Sequence, residues 1–239
     1  MTRLAILTTE TLHHAHFVRE LAKTYPDLLC VLEKTSIKAP FDTAHPFEQQ
    51  REIYETDYFF DGQRRATSDF ANTIGFDVIN QPESVAALKE FNPDVVITFG
   101  ARKIGKDMIA ACQNRIINLH GGDPEEYRGL DSHLWAIYHG DYDGLVTSLH
   151  VLNETLDDGH IIGKQKLDVG HIGDISQLRS INTEACVSLC MDALSQYERD
   201  GKITSVPQSR IGRYYSFMPA VMKQLCVDKF NKFKAQHGS

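Results

Sequence analysis

Several signatures that would point early to a function are missing. No Cys-x-x-C pair occurs among the five cysteines, Cys30, Cys112, Cys186, Cys190 and Cys226, which are scattered and odd in number. That argues against a zinc site or a disulfide framework and for buried thiols in a reducing compartment. No window approaches the roughly 18 uninterrupted apolar residues that a membrane-spanning helix needs. The opening run, MTRLAILTTETLHHAHF, has too short an apolar stretch for a secretory leader and no small-residue cleavage site. A cytoplasmic location is therefore expected. Positive charge is also scarce: 25 Lys and Arg against 32 Asp and Glu give a net charge of -7. Gripping a phosphate backbone draws on cations, so neither nucleic acid nor a membrane is the expected partner. Repeats, low-complexity blocks and a clear linker are absent from the 239 residues. The reading is one domain over 1–239, with a core over about 1–200 and a C-terminal extension over about 201–239.

What is present is alternation. RLAILT (3–8), LLCVLE (28–33), DVVITFG (94–100), RIINLH (115–120), LVTSLHVLN (145–153) and HIIGKQKLDV (160–169) read as strands, with DVI (77–79) as a short one. HAHFVRELAKTY (14–25), PESVAALKEF (82–91), IGKDMIAACQN (104–114), DSHLWAIYHG (131–140) and the long stretch 173–199 read as helices. The stretch 34–75 carries no strand signal, and 46–60 and 62–75 within it read as helical. Strands alternating with helices predict an α/β fold with a doubly wound, mostly parallel sheet, followed here by a C-terminal helical extension.

In such sheets ligands bind beyond the carboxyl ends of the strands. Three loops fall there: FGARKIG after the 94–99 strand, HGGDPEEYRG after 115–120, and NETLDDG after 145–152. GARKIGKD (100–107) resembles a phosphate loop but has Asp107 where that loop needs a Ser or Thr for Mg²⁺. No G-x-G-x-x-G occurs within 1–14. The stretch INLHGGDPEEYRG carries more. Asn118 and His120 lie on one face of their strand, about 6–7 Å apart along the chain. An amide donor and an imidazole converging on one point can hold an oxygen that gains negative charge during acyl transfer. Gly121 and Gly122 would let substrate or backbone approach closely. The competing reading has His120 merely capping the strand on a backbone carbonyl. Asp157, in a tight Asp-Asp-Gly loop, shifts the balance, because a carboxylate there would orient the imidazole and favour its protonated form.

The order Asn-x-His, then Tyr127-Arg128-Gly129, a helix with Trp135, a strand and Leu-Asp-x-Gly, over 117–162, resembles the folate-dependent formyltransferases. PDVVITFG fits the strand before their pterin pocket. The resemblance implies a Rossmann-like formyltransferase core and N10-formyltetrahydrofolate as co-substrate, with no metal. It implies Asn118, His120 and Asp157 as the catalytic triad. It further implies that Phe99, Gly100, Ala101, Lys103, Ile104 and the loop Asn153, Glu154, Thr155, Leu156 hold the pterin, largely through backbone groups. The family's Ser-Leu-Leu after the glycines is missing here, which bears on the acceptor side. Among family members, those acting on methionyl-tRNA carry an extra C-terminal barrel, and those acting on glycinamide ribonucleotide carry a Gly-rich loop after the first strand. Neither feature is present, so the resemblance is strongest to enzymes that formylate nucleotide-linked amino sugars. GDP-perosamine, for surface polysaccharide (O-antigen) synthesis, is the first sugar to consider. Glycinamide ribonucleotide, methionyl-tRNA and a non-catalytic folate- or nucleotide-binding module are the alternatives. On the acceptor side His13, His14, Gly121, Gly122, Tyr127 and Arg128 are the candidates, His13 or His14 for a sugar or phosphate and Arg128 for a pyrophosphate. A homodimer is the default assembly.

Overall fold

A computed structural model describes residues 2–113 and 115–237. In chain order the elements are β1 (Leu4–Thr9), α1 (Leu12–Ala22), β2 (Leu29–Glu33), α2 (Phe47–Phe60), β3 (Asn72–Phe76), α3 (Pro82–Phe91), β4 (Val95–Phe99), α4 (Lys106–Ala111), β5 (Ile116–His120), β6 (Tyr127–Gly129), α5 (Ser132–His139), β7 (Val146–Val151), β8 (Ile161–Lys166), α6 (Leu178–Asp200), β9 (Arg213–Tyr215) and α7 (Ala220–His237). Seven strands form one sheet in the order β3-β2-β1-β4-β5-β7-β8. The first five are parallel, while β7 runs antiparallel to β5 and β8 antiparallel to β7. This is the doubly wound, mostly parallel architecture that the alternation predicts.

Both faces of the central strands are covered, which is why LAIL in β1 is apolar without a break. Leu4 and Ile6 pack with Phe17, Val18 and Leu21 of α1 and with Cys186, Cys190 and Leu194 of α6. Ala5 and Leu7 pack on the other side with Val85 and Leu88 of α3 and Met108 and Ile109 of α4. Each such large side chain taken out of water contributes about 1.5–3 kcal/mol. A third cluster joins Phe47 of α2, Ala136 and Ile137 of α5, and Met218, Cys226 and Phe230 of the C-terminal segment.

Two local expectations fail. Residues 62–75 are not a helix: a single 3₁₀ turn, Thr67–Asp69, leads into β3. The short strand expected at 77–79 is instead β3 itself, five residues earlier. β3 is a sheet edge, paired only with β2 and carrying Asn72, Thr73 and Gly75, so its alternation is polar and easily missed. Ile79 is buried in the loop that follows, its N–H bonded to the Glu33 carboxylate at 3.0 Å. The helix expected over 104–114 is six residues long, and Asn114 lies outside the described residues. The helix expected over 173–199 opens with a 3₁₀ turn, Ile175–Gln177, whose cap Asp174 accepts from Ser176 N at 2.7 Å.

The strand order reverses between β1 and β4, and there the loops after β1, β4 and β5 diverge to open a crevice.

Candidate active site

β5 carries the first two site residues. Strand alternation sends Ile117 and Leu119 into the core and leaves Asn118 and His120 on the opposite face. The sheet register sets Thr98 of β4 and His150 of β7 on either side of Asn118. The Thr98 hydroxyl donates to Asn118 Oδ1 at 2.5 Å, and Asn118 Nδ2 donates to His150 Nε2 at 3.0 Å. His150 Nδ1 donates to the Val151 carbonyl at 3.0 Å. A carbonyl only accepts, so Nε2 is the acceptor nitrogen of a neutral His150. This row of bonds fixes which way the Asn118 amide faces and leaves it a second N–H for a ligand.

His120 is held differently. Its Nε2 donates to the Tyr127 carbonyl at 2.7 Å. Nδ1 is left to exchange a proton, and it faces Asp157 Oδ2 at 3.8 Å. That carboxylate accepts the Gly129 N–H at 2.8 Å, and its other oxygen lies 3.5 Å from His150 Nε2. Burial alone would raise the Asp157 pKa, but the His120 charge and the Gly129 N–H hold it well below the usual carboxylate range. Asp157 is therefore an anion. A neutral His120 turns a lone pair toward it, whereas a protonated ring turns an N–H, so the geometry suits a proton arriving at Nδ1.

The loop that presents Asp157 is tightly specified. Asp157 sits in the left-handed region at φ 52°. Two residues on, a Cβ at Gly159 would lie 1.7 Å from the Val151 carbonyl oxygen, so the glycine of Asp-x-Gly is there because β7 passes against it. Gln208 Nε2 donates to both the Asp157 and Gly159 carbonyls at 2.9 Å.

A cavity of about 930 Å³ opens in front of this cluster. Asn118, His120, Asp157 and His150 line it, with Phe99, Gly100, Ala101, Lys103 and Ile104 from the loop after β4 and Asn153, Thr155 and Leu156 from the loop after β7. His13 and Gly121 reach it as well. Glu154, His14, Gly122, Tyr127 and Arg128 are not among the lining residues. His14 is a wall behind the cavity. It donates from Nδ1 to the Thr9 carbonyl at 3.0 Å, packs its ring on Phe99, and touches Gly100 so closely that a Cβ there would sit 2.4 Å away. Burial pushes its pKa down to about 3. His13 is pushed well down too, first by burial and then by His14, Arg179 and Arg51, so it faces the cavity as a neutral ring and not as a cation for phosphate. Gly122 is small for the sake of His120: a Cβ there would be 2.7 Å from both His120 Nε2 and Ser132 Cβ. Tyr127 and Arg128 act as a brace. The Tyr127 carbonyl holds His120, the Gly129 N–H holds Asp157, and Arg128 Nη2 donates to the Leu156 carbonyl. Lys106, which a phosphate-loop reading would require, is exposed and outside the cavity lining.

Several residues here escaped the sequence reading: Thr98, His150, Arg51, Arg179, and the apolar wall that Leu130, Leu134 and Phe217 make beside Tyr214. For His150 a signal existed, a lone imidazole between Leu149 and Val151 in the strand that feeds the Asp157 loop. For the arginines there was none.

A family model described as "Formyl transferase" matches residues 71–194, just over half of the chain and including Asn118, His120 and Asp157. The chain belongs to the formyl transferase family. A methionyl-tRNA formyltransferase from Caldanaerobacter subterraneus is 24% identical over 149 residues, which make up 62% of this chain and 47% of that protein. The chain thus spans about half the length of the curated relative it matches. Among solved structures, a Mycobacterium tuberculosis protein ascribed to the sugar N-formyltransferases superposes with a TM-score of 0.61 at 20% identity, covering 90% of this chain and 75% of that one. An N-formyltransferase from Helicobacter canadensis, solved with folinic acid and dTDP-3-aminofucose, gives 0.59 at 13% identity, covering 90% and 71%. A glycinamide ribonucleotide transformylase from Symbiobacterium toebii gives 0.58 at 16%, covering 89% and 95%. At these identities the likeness is one of fold.

Proposed function

We propose that this formyl transferase moves a formyl group from N10-formyltetrahydrofolate to the amine of a nucleotide-linked amino sugar. The observation that carries the reading is the joined cluster of Asn118, His120 and Asp157 at the floor of one large cavity in a chain of this family. The co-substrate supplies an activated formyl carbon. The loops Phe99–Ile104 and Asn153–Leu156 suit its flat heterocycle, because side chains from behind already pin their backbones. Asn80 bonds the Lys103 carbonyl and the Gly105 N–H at 2.9 and 2.8 Å, and Arg128 holds the Leu156 carbonyl.

The chain's own groups then divide the work. The spare N–H of Asn118, aimed by Thr98 and His150, donates to the formyl oxygen as negative charge builds on it. His120 Nδ1, once it has taken a proton beside the Asp157 anion, adds a second donor. The incoming amine must lose one proton, and the Asp157–His120 pair is placed to take it and to return it to the departing nitrogen. Because the two groups share the proton, they titrate as a set.

The acidic net charge speaks for a small acceptor over a tRNA. The cavity extends beyond the cluster to an aromatic wall of Phe47, Tyr214 and Phe217, which suits a base or sugar face. Mass spectrometry of the chain with N10-formyltetrahydrofolate and a panel of acceptors tests the reading. The panel comprises GDP-perosamine, dTDP-linked amino-deoxyhexoses, glycinamide ribonucleotide and methionyl-tRNA. A formyl gain on a sugar nucleotide is expected; a gain confined to glycinamide ribonucleotide or the tRNA would overturn the acceptor class and keep the chemistry.

A further inference from the structure

One corner of the cavity, away from the Asn118–His120–Asp157 cluster, is built from α2 and the start of α6. Arg51 and Arg179 both line it. Arg179, in the first turn of α6, is clamped by Glu55, a fully buried carboxylate that accepts from Nε and Nη2 at 2.6 and 2.5 Å. Its remaining nitrogen is left for something else. Arg51 is the stranger of the two. Its guanidinium sits over the Phe47 ring at 5.7 Å, its Nε is buried with no hydrogen-bond partner, and its ion-pair contact, Glu48 Oε1, lies at 3.9 Å, beyond hydrogen-bond reach.

The carboxylates around Arg51 are all engaged by other groups. Glu48 pairs with Lys223 at 2.8 Å, Glu55 holds Arg179, and Asp131 accepts the Met218 N–H at 2.8 Å. Burial, then the charge of Arg179, pull the Arg51 pKa down to about 10 against the opposing charges of Glu55, Glu48 and Asp131, none of which hydrogen-bonds it. A half-buried guanidinium left this way costs free energy unless an anion arrives. The N-terminus of a 23-residue helix adds its own positive end at the same corner.

We propose that Arg51 and Arg179 form an anion subsite that grips the diphosphate of the acceptor. The proposal rests on the nucleotide-linked acceptor reading and replaces Arg128 as the phosphate-binding group. The Arg51 guanidinium, joined by the Arg179 nitrogen that Glu55 leaves over, matches the several oxygens of a diphosphate better than one carboxylate. The neutral His13 ring at the same wall supplies a further hydrogen-bonding edge without adding charge.

Calorimetric titration of inorganic diphosphate, in magnesium-free buffer, into the wild-type chain, Arg51→Gln and Arg51→Lys tests this, with tetrahydrofolate titrated in parallel. Arg51→Gln should bind diphosphate about tenfold or more weakly and tetrahydrofolate as wild type does. Arg51→Lys keeps the charge without the fork and should fall between. It also carries the test should Arg51→Gln prove misfolded by circular dichroism. Equal diphosphate affinity in the variants and the wild type, or none in the wild type, overturns the subsite. Loss of tetrahydrofolate binding with diphosphate unchanged overturns it too and assigns Arg51 to the carboxylates of the folate tail. Diphosphate binding that follows Arg51 while no acceptor gains a formyl group would keep the subsite and remove the formyl-transfer reading.

Discussion

His120 commits one ring nitrogen to a backbone carbonyl and keeps the other for Asp157. Replacing Asp157 by Asn keeps the shape and removes the charge that favours a proton at Nδ1. Turnover should fall by about 10²–10⁴ while tetrahydrofolate affinity stays level, measured by steady-state kinetics and calorimetry. A wild-type rate in that variant would sink the role given to the pair. Thr98→Val tests the aim of Asn118, since it removes the donor to Oδ1 and frees the amide to turn. About a fivefold loss in kcat with little change in KM is expected, the weight of one hydrogen bond near 1 kcal/mol. That Asn118, His120 and Asp157 come together was legible because each sits in a short local pattern. His150 was not, because its contact with Asn118 exists only through the antiparallel register of β5 and β7. Tyr127 and Arg128, expected to touch the acceptor, stand outside the cavity lining and beside the cluster. Their work is done through a carbonyl, a neighbouring N–H and a bond to a loop, none of which side-chain chemistry announces.

The Asp157 loop depends on one small residue. Gly159→Ala would drive a methyl into the Val151 carbonyl, so the loop must move and carry Asp157 with it. A loss of roughly 2 kcal/mol or more in urea unfolding is expected, together with lost turnover. α2 depends on a charge. Glu55 is fully buried and joins α2 to α6 through Arg179. Glu55→Ala strands that arginine and should cost about 3–5 kcal/mol in the same measurement. The parallel core was readable at this level because doubly covered strands are apolar throughout and long helices are periodic. β3 was not, since an edge strand with Asn, Thr and Gly looks like loop. Which residues of α2 reach the cavity was hidden, because Phe47 reads as core and Arg51 as surface until α6 is packed beside them.

Acid should loosen the whole molecule before it reaches the carboxylate range. His14 and His133 hold folded-state pKa values of about 3 and about 4 against the ordinary 6.5, both depressed chiefly by burial. Below pH 6.5 the unfolded chain takes up protons that the folded chain refuses, so stability falls as pH drops toward the folded values. Asp157, held below its ordinary pKa, contributes stability that is present above about pH 4 and is lost only below that. Urea midpoints measured from pH 7 to pH 4 should fall steadily, and His14→Gln should flatten the slope. A flat profile over that range would contradict the buried neutral imidazoles. The last strand brings a different consequence. Residues 213–215 pair in parallel with 127–129, the segment that carries the Gly129 N–H bonded to Asp157, while Tyr214 of the same strand and Phe217 just after it line the cavity. Residues 213–217 thus touch both the cavity wall and the segment that holds Asp157, and under the proposed function they bear on acceptor fit and chemistry at once. A chimaera that borrows this stretch from a relative would change acceptor preference and reaction rate together, and directed evolution of a new acceptor here should find paired changes at 127–129 and 213–217 instead of single ones.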